Sequence, residues 1–469
     1  MSRSKGELRL IAPLGGPERK LADIHARRLE IHPRFLAWCP DSKCVVVTDS
    51  AAEGQPDALF VVSLETGEKR RLTNPQSPSL ADTSPAISPD GRTLAFRRVA
   101  SWSSGDLYFL SLGEGVTAEE TPMRRVTGGL NPDYPAWMPD SEEILFSAKG
   151  GLWRVDADGD RPERLPFVGE DGAMPTISSP NDRRPTRMVY ARTFEDENVW
   201  RLDLSTPGSA PAPAIASSRS DTQPKFSSDG RRVAITSTRT GDWEIWTTDP
   251  DGGNAVQLTS MGARATGGPN WSPDDGQIVF ASDLEGQFDL YIVSSAGGKP
   301  RRLTSAPSFE HGPSFSRDGR WIYFCSNRSG DYQIWRMPAS GGEAIQLTRN
   351  GGWAAVPSPD GASLYYTNTT LSGATLWRVS VNGGEPERVL DGVRFWAFAP
   401  VGRGIYYAED VGSKTRLQFF DLATAHSTTI AHDFGDVRYV PSVSADDRTI
   451  LYSRLDASIN DLMLVENFR

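Results

Sequence analysis

The sequence predicts an all-β protein of the propeller class, built from four-stranded antiparallel blades. A unit ending its first strand in S-P-D-G or a close variant recurs along the chain, with its turn residue every 41 to 50 positions. The better copies each hold four short runs rich in Ile, Val, Tyr, Phe and Trp, separated by Asp, Asn and Gly turns. Glycine and proline are abundant, at 44 and 34 residues, while 38% of the chain is hydrophobic, which suits many short strands and excludes disorder.

Residues 313–348 show the unit in full. "PSFS" (313–316), "WIYFCS" (321–326), "YQIWRMP" (332–338) and "AIQLT" (344–348) read as four strands. "RDG", "NRSGD" and "ASGG" connect them, each pairing a short polar side chain with a Gly that reaches positive φ. A unit of this length with four antiparallel strands has the pattern of one propeller blade, whose faces are buried only by neighbouring blades.

In chain order, a half unit, "GELRLIAPLGGPERKLAD" (6–23), matches only the third and fourth strands. Units follow around Asp41, Asp90 and Asp140, with a weaker copy around Asn181. The Pro/Ala/Ser-rich stretch 205–220 is the main break in composition. Beyond it lie units around Asp229, Asp274, Asp318, Asp360, Val401 and Asp446. The expected organisation is two tandem propellers: an incomplete or open one over 1–208 and a six-bladed one over 209–469. One ring of ten or eleven blades is the rival. The last unit is expected to hold three strands, "PSVSA", "TILYS" and "DLMLVENF", and to borrow its fourth from 211–218.

The net charge of −10 disfavours a phosphate-backbone partner, so no nucleic-acid contact is expected. No apolar run reaches 18 residues, and "MSRSKGELRLIAP" lacks an apolar signal core, so neither a membrane span nor an export signal is expected in this chain. Cys39, Cys44 and Cys325 read as small buried hydrophobes, with a disulfide or thiolate centre as the alternative.

The repeated turn aspartates are spread around a ring, so they read as turn formers rather than as a catalytic or calcium set. "DADGD" (156–160) aligns with the hairpin turns at 249–253 and 338–342 and lacks the rest of a calcium loop. No G-x-S-x-G elbow and no phosphate-binding loop occurs. The expectation is no catalytic residue, no cofactor and no metal. The candidate binding residues are Arg239, Asp242, Glu285, Asp289, Arg328 and Asp331 on equivalent blade-end loops. Trp353, Trp396 and Phe398 depart from the blade pattern and form a second candidate patch.

The units "FSSDGRRVAITSTRTGDWEIWTTDPDGGNAVQLT" and "FSRDGRWIYFCSNRSGDYQIWRMPASGGEAIQLT" resemble the WD40-like repeats of the TolB propeller family. "GGPERKLAD", "SLETGEKRRLT", "SPDGRTLAF" and "DLMLVENFR" also resemble the C-terminal propeller region of large bacterial winged-helix regulators and serine/threonine kinases. These resemblances imply a protein or peptide partner and a periplasmic setting for TolB-type chains. They also imply that this chain is the sensory portion of a larger regulatory protein. The leading expectation is therefore a non-catalytic binding or sensing module. The alternatives are a hydrolase or lyase built on loop residues at an axis mouth, and a scaffold from a split regulator or kinase.

Overall fold

A computed structural model describes residues 6–25, 36–50, 55–76, 81–101, 104–119, 122–169, 171–179, 185–206, 208–369, 373–394, 396–412, 414–439 and 441–468. The described residues are β-strands and turns, with one short 3-10 turn at Pro166–Val168. They fall into two compact units, Met1–Phe194 with Ile459–Arg469, and Glu195–Ser458.

The second unit is a six-bladed propeller. Five blades are four-stranded sheets in simple sequence order, with inner strands Asp221–Phe226, Thr266–Trp271, Glu310–Phe315, Trp353–Pro357 and Phe398–Val401. The sixth starts from Ser442–Val443, and these six inner strands pack one on the next in a closed cycle. In the sixth blade Ser442–Val443 pairs with the strand Thr449–Glu466, which lies beside Arg187–Asp203, and Ala212–Ile215 pairs outermost. The 211–218 segment thus serves as the expected outer strand.

"DLMLVENF" does not serve as the third. It continues the strand Thr449–Glu466, and from Ile459 onward it belongs to the first unit. The reason is visible in its packing: Met463 and Val465 lie against the first unit's core of Met138, Leu145, Leu152, Met188 and Tyr190.

The "WIYFCS" strand shows why the blades stack. Ile322 and Phe324 pack on Val279 and Ala281 of the preceding blade. The alternate residues Tyr323 and Cys325 pack on Leu364 and Tyr366 of the following one. Both faces are buried, so the strand is a continuous apolar run, and each large side chain contributes about 1.5–3 kcal/mol by leaving water.

The first unit contains blades whose inner strands are Leu36–Trp38, Ala81–Ile87, Asp133–Trp137 and Gly172–Ile177, packed in series. The hairpin Gly6–Leu10/Arg19–Ile24 is the half unit, and its Leu8, Leu21 and Ile24 cover Val45, Val47 and Phe60. Cys39 and Cys44 are joined in a disulfide, contrary to the expectation of three unlinked hydrophobes. They flank the turn around Asp41, which brings their Cα atoms to 5.3 Å. Cys325 is the buried wall residue expected, and burial pushes its thiol up to about 12.

Three polar devices recur in the blades. In the S-P-D-G turn, the Ser316 hydroxyl donates to Asp318 Oδ1 (2.6 Å), which also accepts the Arg320 N–H (3.1 Å). These bonds hold Asp318 down at about 2, and the same Ser-to-Asp bond recurs at Asp90, Asp229, Asp274, Asp360 and Asp446. A second device is a buried ion pair between the start of the inner strand and an arginine late in the second strand or just after it: Asp82–Arg98, Asp221–Arg239 and Glu310–Arg328. The third is a Thr hydroxyl after the outer strand that accepts a third-strand N–H, as at Thr73, Thr127, Thr259, Thr304 and Thr348, each at 2.9 Å.

Candidate functional site: the axial cavity of the six-bladed unit

The inner strands carry a local irregularity that shapes the axis. In both units the strand register slips by a β-bulge, and the bulged residue has positive φ: Ser84, Tyr134, Met174, Gln223, Gly268, Gly312 and Ala354. All but Ala354 directly precede a proline. A regular strand would turn alternate residues away, but the bulge lets consecutive residues such as Gly268, Pro269, Asn270 and Trp271 line one cavity.

That cavity encloses about 200 Å³. Much of its polar lining is engaged in holding blades together. Gln223 Oε1 accepts the Gly268 N–H (2.6 Å) and the Thr236 hydroxyl (2.8 Å). Asn270 Oδ1 accepts the Phe315 N–H (3.3 Å), and the Ser314 hydroxyl donates to the Ala355 carbonyl (2.7 Å).

Lys225 and His311 are not engaged in this way. Among the described residues Lys225 Nζ has no ion pair or hydrogen bond, and enclosure by protein lowers its ammonium to about 8. His311 Nδ1 is buried without a hydrogen-bond partner among the described residues, and burial lowers the imidazole to about 4, so the ring is neutral at pH 7.

The His311 ring is stacked on Trp396 (5.0 Å between centroids) and Phe309 (5.6 Å), with Phe288 edge-on at 5.3 Å. Tyr332 lies 4.0 Å from Trp353, and Trp353 and Tyr439 lie 6.3 and 6.4 Å from Trp396. Burial pushes the Tyr439 hydroxyl well above its ordinary range. Trp353 and Trp396, singled out as a patch, are therefore brought together. Phe398, named with them, is fully buried core.

The charged loop set divides. Arg239 forms a two-pronged pair with Asp221, both contacts at 2.9 Å, and covers the Trp246 ring. Arg328 reaches the buried Glu310 at 3.1 Å and lies over Phe324 and Trp335. Asp289 is buried at the start of a third strand, equivalent to Glu244 and Gln333 rather than to Asp242 and Asp331. It accepts from Arg302 (2.6 Å) and Thr304 (3.0 Å), and desolvation outweighs both and raises it to about 6. Asp242, Glu285 and Asp331 are exposed at the loop tips.

Lys225 and His311 were missed because the repeat drew attention to what the copies share. The signal lay in what they do not share. Four residues before the turn residue, the second unit's blades carry Lys225, Asn270, Ser314, Val356, Ala397 and Ser442, so one copy alone is charged.

Residues 263–439 match the family model of the TolB beta propeller domain. No match is found among curated proteins. Among solved structures, a TolB-type protein from Agrobacterium tumefaciens is 22% identical over 56% of this chain and 99% of its own, with a TM-score of 0.48. TolB from Acinetobacter baumannii is 17% identical over 72% and 77%, with a TM-score of 0.32. A puromycin-hydrolyzing peptidase from Mycobacterium tuberculosis is 14% identical over 65% and 53%, with a TM-score of 0.39. The chain carries β-propeller repeats, and over 263–439 they are of the TolB type.

Proposed function

We propose that the chain is a non-catalytic protein- or peptide-binding module, made of two tandem propellers and serving as the sensory portion of a larger regulatory protein. The observation that carries this reading is the aromatic cluster beside the axial cavity of the six-bladed unit, which Trp396 joins to the cavity wall. Phe309, Tyr332, Trp353 and Trp396 offer rigid apolar area with few rotamers to immobilise, the composition that dominates binding hot spots. Asp331 adjoins Tyr332 in sequence, and with Asp242 and Glu285 it supplies the charged rim. Arg239, Arg328 and Asp289 hold the loops that carry that rim.

The polar groups support binding over catalysis. A nucleophile needs a competent base within hydrogen-bond reach, whereas the Ser314 hydroxyl donates to a backbone carbonyl and the Ser316 hydroxyl to Asp318, which is held down at about 2 and is too weak a base. Selection from a random library of C-terminally amidated peptides should yield binders. Trp353→Ala and Trp396→Ala should each weaken them at least tenfold with the thermal transition retained. Selected peptides that bind both variants unchanged would rule out this cavity as the site.

A further inference from the structure

The chain carries 60 acidic against 50 basic residues, yet among the described residues the lining of the axial cavity includes Lys225 and Arg317 and no carboxylate. The neutral residues at the equivalent place in the five other blades show that the propeller does not need a cation there. Lys225 is half-buried on the cavity wall, and with no ion pair among the described residues to offset desolvation its ammonium form is weakened there. The lysine sits where a ligand, and no protein group among the described residues, can neutralise it.

Resting on the binding reading of the same cavity, we infer that Lys225 receives the carboxylate of the ligand, borne on an apolar or aromatic residue. The cavity has about 200 Å³, room for about six waters or a single side-chain-sized group. Trp271 and Trp396 give its wall an aromatic character, and Pro313, Val356 and Pro357 an apolar one. The Lys225 ammonium acts as a point charge that suits a carboxylate, and Arg317, whose Nε–H donates to the Ser358 carbonyl (3.3 Å), adds a second positive charge to the lining. The carboxylate can come from the C-terminus of an extended peptide or from a free organic acid.

The probes are N-acetylphenylalanine, its amide, and a tripeptide ending in phenylalanine as acid and as amide. Binding is followed by the fluorescence of the cavity tryptophans and by calorimetry. Each acid should bind at least tenfold more tightly than its amide. Lys225→Met should erase that preference while keeping or raising the thermal transition, and Lys225→Arg should restore part of it. A tripeptide acid that outbinds N-acetylphenylalanine assigns the carboxylate to a chain terminus; equal affinity assigns it to a free acid.

The preference for acid should also fall as pH rises through about 8, because only the ammonium form pairs with the carboxylate. The other titratable groups lining the cavity are silent in that range. His311 titrates near 4, Tyr439 is raised above its ordinary range, and Arg317 stays cationic. Equal binding of acid and amide, or an acid preference that survives in Lys225→Met, overturns the inference. If amidated peptides still bind in a Trp396-dependent way, the binding reading stands without it. If N-acetylphenylalanine binds and neither tripeptide nor any amidated peptide does, the cavity is a free-acid site and the peptide reading falls.

Discussion

The two units are made from the same repeat, and their axial positions differ. Four residues before the turn aspartate, the first unit has Ala37, Ala86 and Ala136, with Thr176 in the equivalent register of the weak copy. The six-bladed unit places Lys225, Asn270, Ser314 and Ser442 there among apolar partners. The first unit's cavity between its inner strands, about 490 Å³, is lined by residues such as Trp38, Ile87, Trp137 and Ile177, and among the described residues its lining holds no charged group. Both units share the prolyl bulge, the turn aspartate and the buried ion pair. The shared devices build walls, and the positions that vary inside those walls are where ligand chemistry can reside.

If the buried ion pairs are wall devices, breaking them should cost the same in either unit. Arg98 holds Asp82 at 2.7 and 2.8 Å, and Arg239 holds Asp221 with both contacts at 2.9 Å, each carboxylate being fully buried. Arg98→Met and Arg239→Met each remove the ion-pair partner of that carboxylate, and each should lose about 3–5 kcal/mol in urea denaturation. A much smaller loss for Arg239→Met would break the equivalence and assign that arginine to binding.

The second effect belongs to the six-bladed unit. His311 has a folded-state value of about 4 against 6.5 in the unfolded chain, so the unfolded state takes up more protons between these values. Its contribution is fully present above pH 6.5 and is lost as pH falls toward 4, an acid limb on the order of 3 kcal/mol. His311→Phe keeps the stacking and removes the titration, so that limb should flatten in denaturation midpoints measured from pH 7 to pH 4. Asp289 runs the other way: raised to about 6, its contribution is present below 3.8 and is lost as pH rises through 6. Asp289→Asn should therefore steepen the net acid limb. An unchanged limb in His311→Phe would mean that the ring is solvated in the folded protein.

The blades were legible in the sequence because each device is local and repeated. Turn aspartates, glycines and Leu-Thr endings recur at fixed places in copy after copy. The strand Thr449–Glu466 was not legible, since "TILYS" and "DLMLVENF" have the composition of two strands and only tertiary packing makes them one. The bulges were hidden for a similar reason, because a residue before proline is normally kept out of left-handed backbone. The aromatic site was half legible: Trp353 and Trp396 broke the pattern in sequence. Phe309 and His311 fall in an ordinary inner-strand approach and join the tryptophans only across the ring.

The smallest effect sharpens the comparison most finely. Thr127 and Thr304 make the same pair of bonds: each hydroxyl accepts a third-strand N–H at 2.9 Å and donates to an aspartate at 3.0 Å. Replacement by valine keeps the shape and leaves a buried N–H without its acceptor, costing about 1–2 kcal/mol. The two sites differ in the aspartate. Asp106 keeps 13% of its side chain exposed, so water can replace the lost donor, whereas Asp289 is fully buried and retains only Arg302. Thr304→Val should therefore cost more than Thr127→Val, and Thr→Ser should restore both. Equal losses would show that burial of the aspartate does not set the strength of this clasp.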